Sequence, residues 1–376
     1  MRVLFVPTLT QVPGAVRARA SDAMGFGITC ASALVRGLVA CGVEVDVVRV
    51  APTSRGTEWT ARCLEAFEAA VRTADHDVVL AFHAFWPFTC DLRRILDDAG
   101  ARLPLVTYTH GTHWDPTDLF RFERYPRLRW ADLGNLLAAD RVLLVSWYLH
   151  RTLSASVAEA GPVAAKELAA RLRPVGLPLD LDRIDAARAP RDDSRVTVVF
   201  NHAPIRAKRP ELFLAAAGEV LRRTDARIVV TRYVPPHEPA GEALAELAGR
   251  HPGRVVLGGD LPLDDYFRTL WHSDIQVSTA SHESLGVATL EAMATRTCPL
   301  LPATGAYPEI TGGDPEALYD DPEEVVDRLC ALIADGPRRR ATARRHSARV
   351  RAAYSPTRVA EAVHRVLKEA VAETAA

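Results

Sequence analysis

Two glutamates, Glu283 and Glu291, stand with seven residues between them in the segment Ser278-Thr-Ala-Ser-His-Glu-Ser-Leu-Gly-Val-Ala-Thr-Leu-Glu-Ala-Met293. The first lies in a small polar turn with Gly286; the second falls on the helix that should follow. A helix start presents backbone N–H groups without intrahelical partners, and these bind anions. A carboxylate about two turns further along can take hydrogen bonds from ligand hydroxyls. One ligand that uses all of these groups is a sugar joined to a diphosphate and a ribose. The plainer reading of the same residues is a capping carboxylate and a solvated helix face.

Three other segments carry residues that could share this chemistry. Phe200-Asn-His-Ala-Pro-Ile-Arg-Ala-Lys-Arg-Pro-Glu211 follows a strand pattern and precedes a helix pattern. Its cations, Arg206 and Lys208, would suit a departing diphosphate, because fixed positive charge stabilises negative charge that grows in a transition state. Lys208 stands out because the chain has only two other lysines, 166 and 368, its basic residues being almost all arginine. Thr107-Tyr-Thr-His-Gly-Thr-His-Trp-Asp115 follows another strand pattern. Its His110, His113 and Asp115 could be read as metal ligands, although no third or fourth ligand at a familiar spacing completes the set. Gly25-Phe-Gly27 opens a helix and permits close backbone approach to a ligand, but lacks the third glycine and the later acid of a dinucleotide fingerprint. The preceding segment, Thr8 to Met24, is polar and could form a mobile acceptor loop.

The elements that must position these residues alternate between short β-type runs and amphipathic helical runs, which predicts parallel sheets in an α/β architecture. Strands are expected at Val3–Val6, Val43–Val50, Val78–Phe82, Leu105–Thr109 and Val142–Val145, with a helix from Ile28 to Cys41. Pro174, Pro178 and Pro190 then break the pattern. A second series has strands at Val196–Phe200, Ile228–Tyr233, Val255–Leu257, Ile275–Ser278 and Pro299–Leu301. Helices are expected at about 210–223, 239–250, 263–272 and 286–295, and a final one from Pro356 to Ala372. This organisation predicts an N-terminal domain over 1–175, a hinge over 176–195, a C-terminal domain over 196–352, and a helix in 353–376 that crosses back to the first domain. Two doubly wound domains so joined would place a ligand cleft at the carboxyl ends of the strands.

Composition bounds the reading. A chain of 376 residues suits two domains, and 48% hydrophobic with 25% charged residues is a globular balance rather than a disordered one. A formal net charge of −1 gives no overall attraction to nucleic acid or membrane. Cysteines 30, 41, 63, 90, 298 and 330 form no C-x-x-C pair, which fits reduced thiols in a cytoplasmic protein. No apolar run approaches the ~18 residues of a membrane span. Arg121, Arg124, Arg127 and Arg129 interleave with Phe120, Phe122, Tyr125 and Trp130, a pattern that serves either nucleic-acid binding or a charged helix face.

The segment from Asp274 to Met293 resembles the E-x7-E signature of retaining glycosyltransferases of family 4, and Ala306-Tyr-Pro-Glu-Ile310 is similar to the family's G-x-P-E turn. The resemblance covers the C-terminal half well and the N-terminal half loosely. It implies the GT-B fold, two Rossmann-like domains, and transfer of a sugar from a nucleoside-diphosphate donor to a hydroxyl acceptor, with no separate cofactor and no metal. By the resemblance Glu283 would hold the donor-sugar hydroxyls and Glu291 the ribose hydroxyls, while the amides of Ser284, Leu285 and Gly286 would meet the sugar and the distal phosphate. Lys208 matches the family's diphosphate lysine, but the family's arginine falls on or near His202, so His202 or Arg206 would have to replace it. His110 matches a histidine that contacts the donor sugar, and Gly27 lies in the family's glycine-rich turn. Gly259 and Leu261, in Val256-Leu-Gly-Gly-Asp-Leu261, match a backbone wall for the base. Thr231-Arg-Tyr-Val-Pro-Pro236 departs from the family by lacking its usual glycines, which leaves the base open.

Leu263-Asp-Asp-Tyr-Phe267 and Lys208-Arg-Pro-Glu-Leu-Phe213 look similar to the tRNA-queuosine mannosyltransferase branch, which implies GDP-mannose as a donor. The acceptor could be a small natural product, a glycan or a tRNA nucleoside. A metal-dependent hydrolase on His110, His113 and Asp115, and a nucleotide-sugar-binding protein without turnover, are the competing readings.

Overall fold

The computed structural model describes residues 1–8, 26–50, 56–85, 87–118, 122–123, 125–190, 194–259 and 261–375. The chain divides into two compact units, Met1–Asp180 with Tyr354–Ala376, and Leu181–Ala353.

The first unit is built on a six-stranded sheet in the order β2-β1-β3-β4-β5-β6, every pair parallel. Its strands are β1 (Arg2–Val6), β2 (Glu44–Val47), β3 (Val78–Ala81), β4 (Leu105–Thr109), β5 (Arg141–Leu144) and β6 (Leu172–Pro174). Between them run α1 (Phe26–Ala40), α2 (Gly56–Thr73), α3 (Thr89–Asp98), α4 (Leu128–Leu137), α5 (Trp147–Ala160) and α6 (Pro162–Arg171). β3, β4 and β5 are buried at every position, as strands of a parallel sheet covered on both faces are, and β3 is apolar throughout. The last helix of the chain, α15 (Pro356–Ala375), belongs to this unit and packs on α1. Gly37 makes that approach possible: a Cβ there would lie 2.6 Å from the Pro356 carbonyl oxygen. Arg173 pairs with Glu369 at 3.6 Å, and Arg141 pairs with Glu373, so the helix is also tied to β6 and β5 by charge.

The second unit begins with α7 (Leu181–Ala186) and contains a parallel six-stranded sheet in the order β12-β11-β10-β7-β8-β9. The strands are β7 (Thr197–Phe200), β8 (Arg227–Val230), β9 (Val255–Leu257), β10 (Ile275–Val277), β11 (Cys298–Pro302) and β12 (Leu318–Tyr319). The helices are α8 (Pro210–Arg223), α9 (Pro239–Arg250), α10 (Leu263–Trp271), α11 (Val287–Ala294), α12 (Tyr307–Thr311), α13 (Glu324–Ala334) and α14 (Gly336–Ala353). A core of Val198, Phe213, Val220, Ile228, Ile275 and Leu329 joins α8 and α13 to the sheet. Strand order reverses between β7 and β10. β8 and β9 extend to one side of β7, and β10 to β12 lie on the other. At such a reversal the loops after the two strands diverge to opposite faces and leave a crevice at their carboxyl ends. The loop after β7 carries Lys208, and the loop after β10 carries Glu283.

Among the described residues, no helix is long and apolar enough to cross a membrane.

Candidate functional site

The two loops are stitched together by backbone. Ser281 N–H donates to the Ala207 carbonyl at 2.9 Å, and the Thr279 hydroxyl donates to the carbonyls of Lys208 and Arg209 at 2.8 and 3.0 Å. Arg209 returns a bond from Nε to the Thr279 carbonyl at 2.9 Å, and its φ of 44° turns the chain from the short 3-10 segment Arg206–Lys208 into α8. This turn brings Lys208 Nζ to 2.6 Å from Glu283 Oε2 and 3.2 Å from the His282 carbonyl. An ammonium has three donors, so one N–H remains for a ligand. Burial pushes the Glu283 carboxyl up, but the charge and hydrogen bond of Lys208 outweigh it and hold the group below its ordinary value. Glu283 is thus an ionised acceptor.

Two glycines allow this placement. Gly286 precedes α11 at φ 91°, a backbone state that disfavours side chains, and a Cβ there would sit 3.2 Å from both Glu283 Cγ and Tyr307 Cε1. At Gly305, a Cβ would lie 2.5 Å from the Glu283 carbonyl oxygen, and φ is again positive at 58°. That carbonyl accepts from Ala306 N–H at 2.9 Å, which fixes the Glu283 backbone from behind. Among the described residues, the N–H groups of Leu285 and Gly286 donate to no protein acceptor, as the start of a helix leaves them.

Glu291 points into the protein from α11 and is only 5% exposed. Its Oε2 accepts from the Tyr266 hydroxyl at 2.8 Å. That hydroxyl accepts from Asn201 Nδ2 at 3.1 Å, and the same amide donates to the Ala288 carbonyl at 2.7 Å. The chain Asn201–Tyr266–Glu291 therefore links the end of β7 to α10 and α11. Burial pushes the Glu291 carboxyl up to about 7, against the Tyr266 hydrogen bond and the charge of Arg232. Arg232 follows β8, and its guanidinium lies 5.2 Å from the centre of the Tyr266 ring. Its buried Nε has no hydrogen-bond partner among the described residues. A cation is thus held beside the acid–phenol pair with donor capacity to spare.

His202 does not supply positive charge. It is 2% exposed, packs edge-on to Phe200 with ring centres 5.3 Å apart, and its Nε2 lies 2.9 Å from the Gln276 amide nitrogen. That contact requires an unprotonated Nε2 accepting from the amide. Burial, with Lys208 and Arg232 nearby, pushes the imidazole down to about 3. Arg206 is exposed on the 3-10 segment. Arg232 is the cation that sequence reasoning missed; its only signal was that an arginine stands in the stretch after β8 where glycines were expected.

The carboxyl ends of β8 and β9 form the flank of this crevice. Gly258 N–H donates to the Val230 carbonyl at 2.8 Å, Gly259 turns at φ 60°, and Leu261 side-chain carbons would lie 3.2 Å from a Cβ on Gly258. Leu257 and Tyr233 are 52% and 43% exposed there, an apolar surface of the kind a base would cover. Asp260, inside the motif, lies outside the described residues.

In the first unit His110 follows β4. Its Nε2 lies 2.6 Å from the Phe82 carbonyl, so Nε2 carries a proton and donates it there. Tyr108 stacks on the ring at 5.4 Å, and His83 lies 5.3 Å away. Two residues of the metal reading, His113 and Asp115, have protein partners. His113 faces Asp132, with Nδ1 3.6 Å from Oδ2, and Asp132 also accepts from Thr112 Oγ1 at 2.6 Å. Asp115 is fully buried, accepting from Thr117 Oγ1 at 2.7 Å and the Tyr148 hydroxyl at 3.0 Å. Among the described residues, no group of three or more His, Cys, Asp or Glu is placed to hold a metal ion.

Of the remaining expectations, Gly27 sits in the first turn of α1, while Gly25 and residues 9–24 lie outside the described residues. Arg121, Arg124 and Phe120 of the arginine–aromatic stretch also lie outside them. Within that stretch Arg129 has a structural contact: its guanidinium is 5.3 Å from the centres of both Trp114 and Trp130, and its carbonyl accepts from the Trp114 indole at 2.7 Å.

Residues 194–335 match the family described as glycosyl transferases group 1. A tRNA-queuosine alpha-mannosyltransferase of Drosophila melanogaster is 28% identical over 120 residues, 32% of this chain. The chain thus spans about a third of that relative, 31% of its length. Sucrose-phosphate synthase from Thermosynechococcus elongatus superposes with a TM-score of 0.74 at 16% identity, covering 99% of this chain and 100% of that one. Anabaena HepE, solved in complex with UDP-glucose, superposes with a TM-score of 0.64 at 14% identity, covering 98% and 100%. The expected fold is therefore observed, in both sheets and in these neighbours: the chain has the GT-B fold.

Proposed function

We propose that this GT-B chain moves a sugar from a nucleoside-diphosphate donor to a hydroxyl acceptor with retention of configuration. The observation that carries the reading is the placement of Lys208 and Glu283 on the two loops that leave the β7–β10 switch point, with Glu291 on the helix that follows and with amides of Leu285 and Gly286 that meet no acceptor among the described residues. Glu283, held ionised, accepts hydrogen bonds from the donor-sugar hydroxyls. Glu291 accepts from the ribose hydroxyls, and the amides at 284–286 bind the sugar and the distal phosphate. Lys208 uses its remaining N–H on the diphosphate. Arg232 adds the second positive charge that neutral His202 does not provide, with exposed Arg206 as a further cation. The backbone of Gly259 and Leu261 walls the base, and Gly27 leaves room for close backbone approach.

In the reaction the bond between the anomeric carbon and the phosphate oxygen breaks, and the nucleoside diphosphate leaves with the electron pair. The acceptor oxygen bonds to the same face of that carbon, and its proton passes to the departing phosphate oxygen. Charge grows on the diphosphate in the transition state, so fixed cations and amides there lower the barrier more than they tighten donor binding. Neither glutamate is required as a covalent nucleophile, and no metal is required. His110 is assigned to the donor sugar by the family resemblance.

GDP-mannose is the first donor to try, since the Drosophila relative is a mannosyltransferase; UDP-glucose is the second, since HepE binds it. A tRNA nucleoside is one acceptor class and a glycan or small natural product another. A thermal-shift screen of UDP-, GDP- and ADP-sugars tests the donor assignment. A ligand at 100 times its Kd stabilises the folded state by about 2.7 kcal/mol, so one base should raise the melting temperature measurably. No shift with any of the three, and no transfer, would overturn the reading.

A further inference from the structure

The second unit has two adjoining concavities of about 590 and 480 Å³, and neither is lined by the residues of the crevice described above. Both are lined by Arg188, Trp271, Arg296 and Arg344; Arg340 adds to one and Arg351 to the other. They lie at the amino-terminal side of the sheet. Trp271 ends α10 just before β10, and Arg296 stands between α11 and β11 at φ 61°. The Lys208 and Glu283 loops leave the opposite, carboxyl ends of β7 and β10.

The arginines of α14 are not a uniformly solvated basic face. Arg338 pairs with Glu316 at 3.3 Å, Arg339 with Asp274 at 3.7 Å, and Arg345 with Asp314 at 2.6 Å. Arg349 donates to the carbonyls of Ile310 and Glu309, and Arg351 pairs with Asp185 at 2.5 Å. Arg340 and Arg344 are the exceptions: exposed and one turn apart, they meet no acid among the described residues. Like charges four apart on a helix cost about 0.2–0.5 kcal/mol. Arg188 also meets no acid among the described residues, its guanidinium resting 5.3 Å from the centre of Trp271. Trp271 is itself fixed, its indole donating to the Ile184 carbonyl at 2.7 Å, with Arg351 5.9 Å from the ring. Three cations that meet no acid among the described residues thus converge on a braced concave surface.

From this placement we propose that the concavity lined by Arg188, Arg340 and Arg344 is a second binding site, for a chain of phosphate groups. The guanidinium fork matches two phosphate oxygens at once, which makes arginine the residue suited to this ligand. A membrane surface fits poorly, because the lining is concave and none of its residues is an exposed large apolar side chain. The phosphates come either from a nucleic-acid backbone or from a free oligophosphate. The site stands apart from the donor crevice, so it holds or fails independently of the glycosyl-transfer reading.

The test uses the full chain, a labelled ~20-nucleotide RNA and inorganic tripolyphosphate, followed by fluorescence anisotropy and thermal shift across a salt series. In the Arg340→Gln/Arg344→Gln double variant, binding should weaken about tenfold or more, and the slope of log K against log salt for RNA should fall by ~1.4, about 0.7 for each lost contact. The Arg188→Gln variant, changed outside α14, should weaken binding as well and serves if the double variant melts early. RNA binding competed by tripolyphosphate assigns the nucleic-acid source; tripolyphosphate binding alone assigns the free one. Failure of both to bind, equal binding by the variants, or equal binding of polyglutamate would overturn the proposal.

Discussion

Replacing Glu291 by glutamine should stabilise the protein at alkaline pH while impairing its ligand site. Glu291 is buried, and its carboxyl is raised from an ordinary 4.5 to about 7, chiefly by burial. The folded state therefore holds a proton between those two values that the unfolded chain has released. Stability falls as pH rises across that window, by about 1.4 kcal/mol per pH unit and ~3 kcal/mol in all. Glutamine removes this penalty and still accepts from the Tyr266 hydroxyl. Its amide N–H groups bring back a cost of about 1 kcal/mol if one stays unpaired in the buried site. The expected balance at pH 8 is a gain of ~2 kcal/mol, or roughly 4–8 °C for a domain of ~150–250 residues. At pH 5, where Glu291 is already protonated in the folded state, the variant should melt at or slightly below the wild type. Thermal unfolding of both proteins at pH 5 and pH 8 measures this difference, and the protein's other titrations cancel between them. A melting difference that does not change with pH would refute the reasoning. The same variant should bind the donor more weakly, because glutamine has one acceptor oxygen, shared with Tyr266, where the carboxylate has two.

Other outcomes follow from the same geometry. Lys208→Met should lower kcat by about 10²–10³, the typical loss on removing one stabilising donor, with a smaller change in donor KM; an unchanged kcat measured at saturating donor would remove Lys208 from the diphosphate. Arg232→Gln should weaken nucleoside-diphosphate binding by about tenfold, the size of one charge-assisted hydrogen bond of ~1.5 kcal/mol, whereas His202→Gln should leave the salt dependence of that binding as it was. Calorimetric titration with UDP and GDP distinguishes the two, and equal losses in both variants would contradict the assignment of charge to Arg232.

The strand ends were legible in the sequence because a parallel sheet covered on both faces favours near-continuous apolar runs, such as Val78–Phe82 and Val198–Phe200. Glu283, Gly286 and Glu291 were legible because one loop and one helix place them, so their spacing is local. Helices α2, α3, α5, α6, α7, α12, α13 and α14 were not assigned from the sequence. The weak apolar patterning of α14 reflects arginines that reach across to Asp274, Asp314 and Glu316 rather than a buried apolar stripe. The stretch 176–195 was read as a hinge; the division between the units, at Asp180 and Leu181, falls within it, and so does α7, which the sequence reading did not foresee. Tyr266 and Asn201 could not be assigned to Glu291 from spacing, since 25 and 90 residues separate them and only the β7–α10–α11 packing joins them. The neutrality of His202 was hidden for a similar reason: burial sets it, and burial belongs to the folded chain.

The most direct measurement of the central claim is turnover by the wild type and by Glu283→Ala, with whichever nucleotide sugar shifts the melting temperature. The wild type should form product with the anomeric configuration of the donor. Glu283→Ala should lose at least about 10² in rate, in line with loss of a group acting on the reacting sugar, while the nucleoside diphosphate alone still raises its melting temperature. Product formed by the variant at the wild-type rate, or product of inverted configuration, would contradict the account.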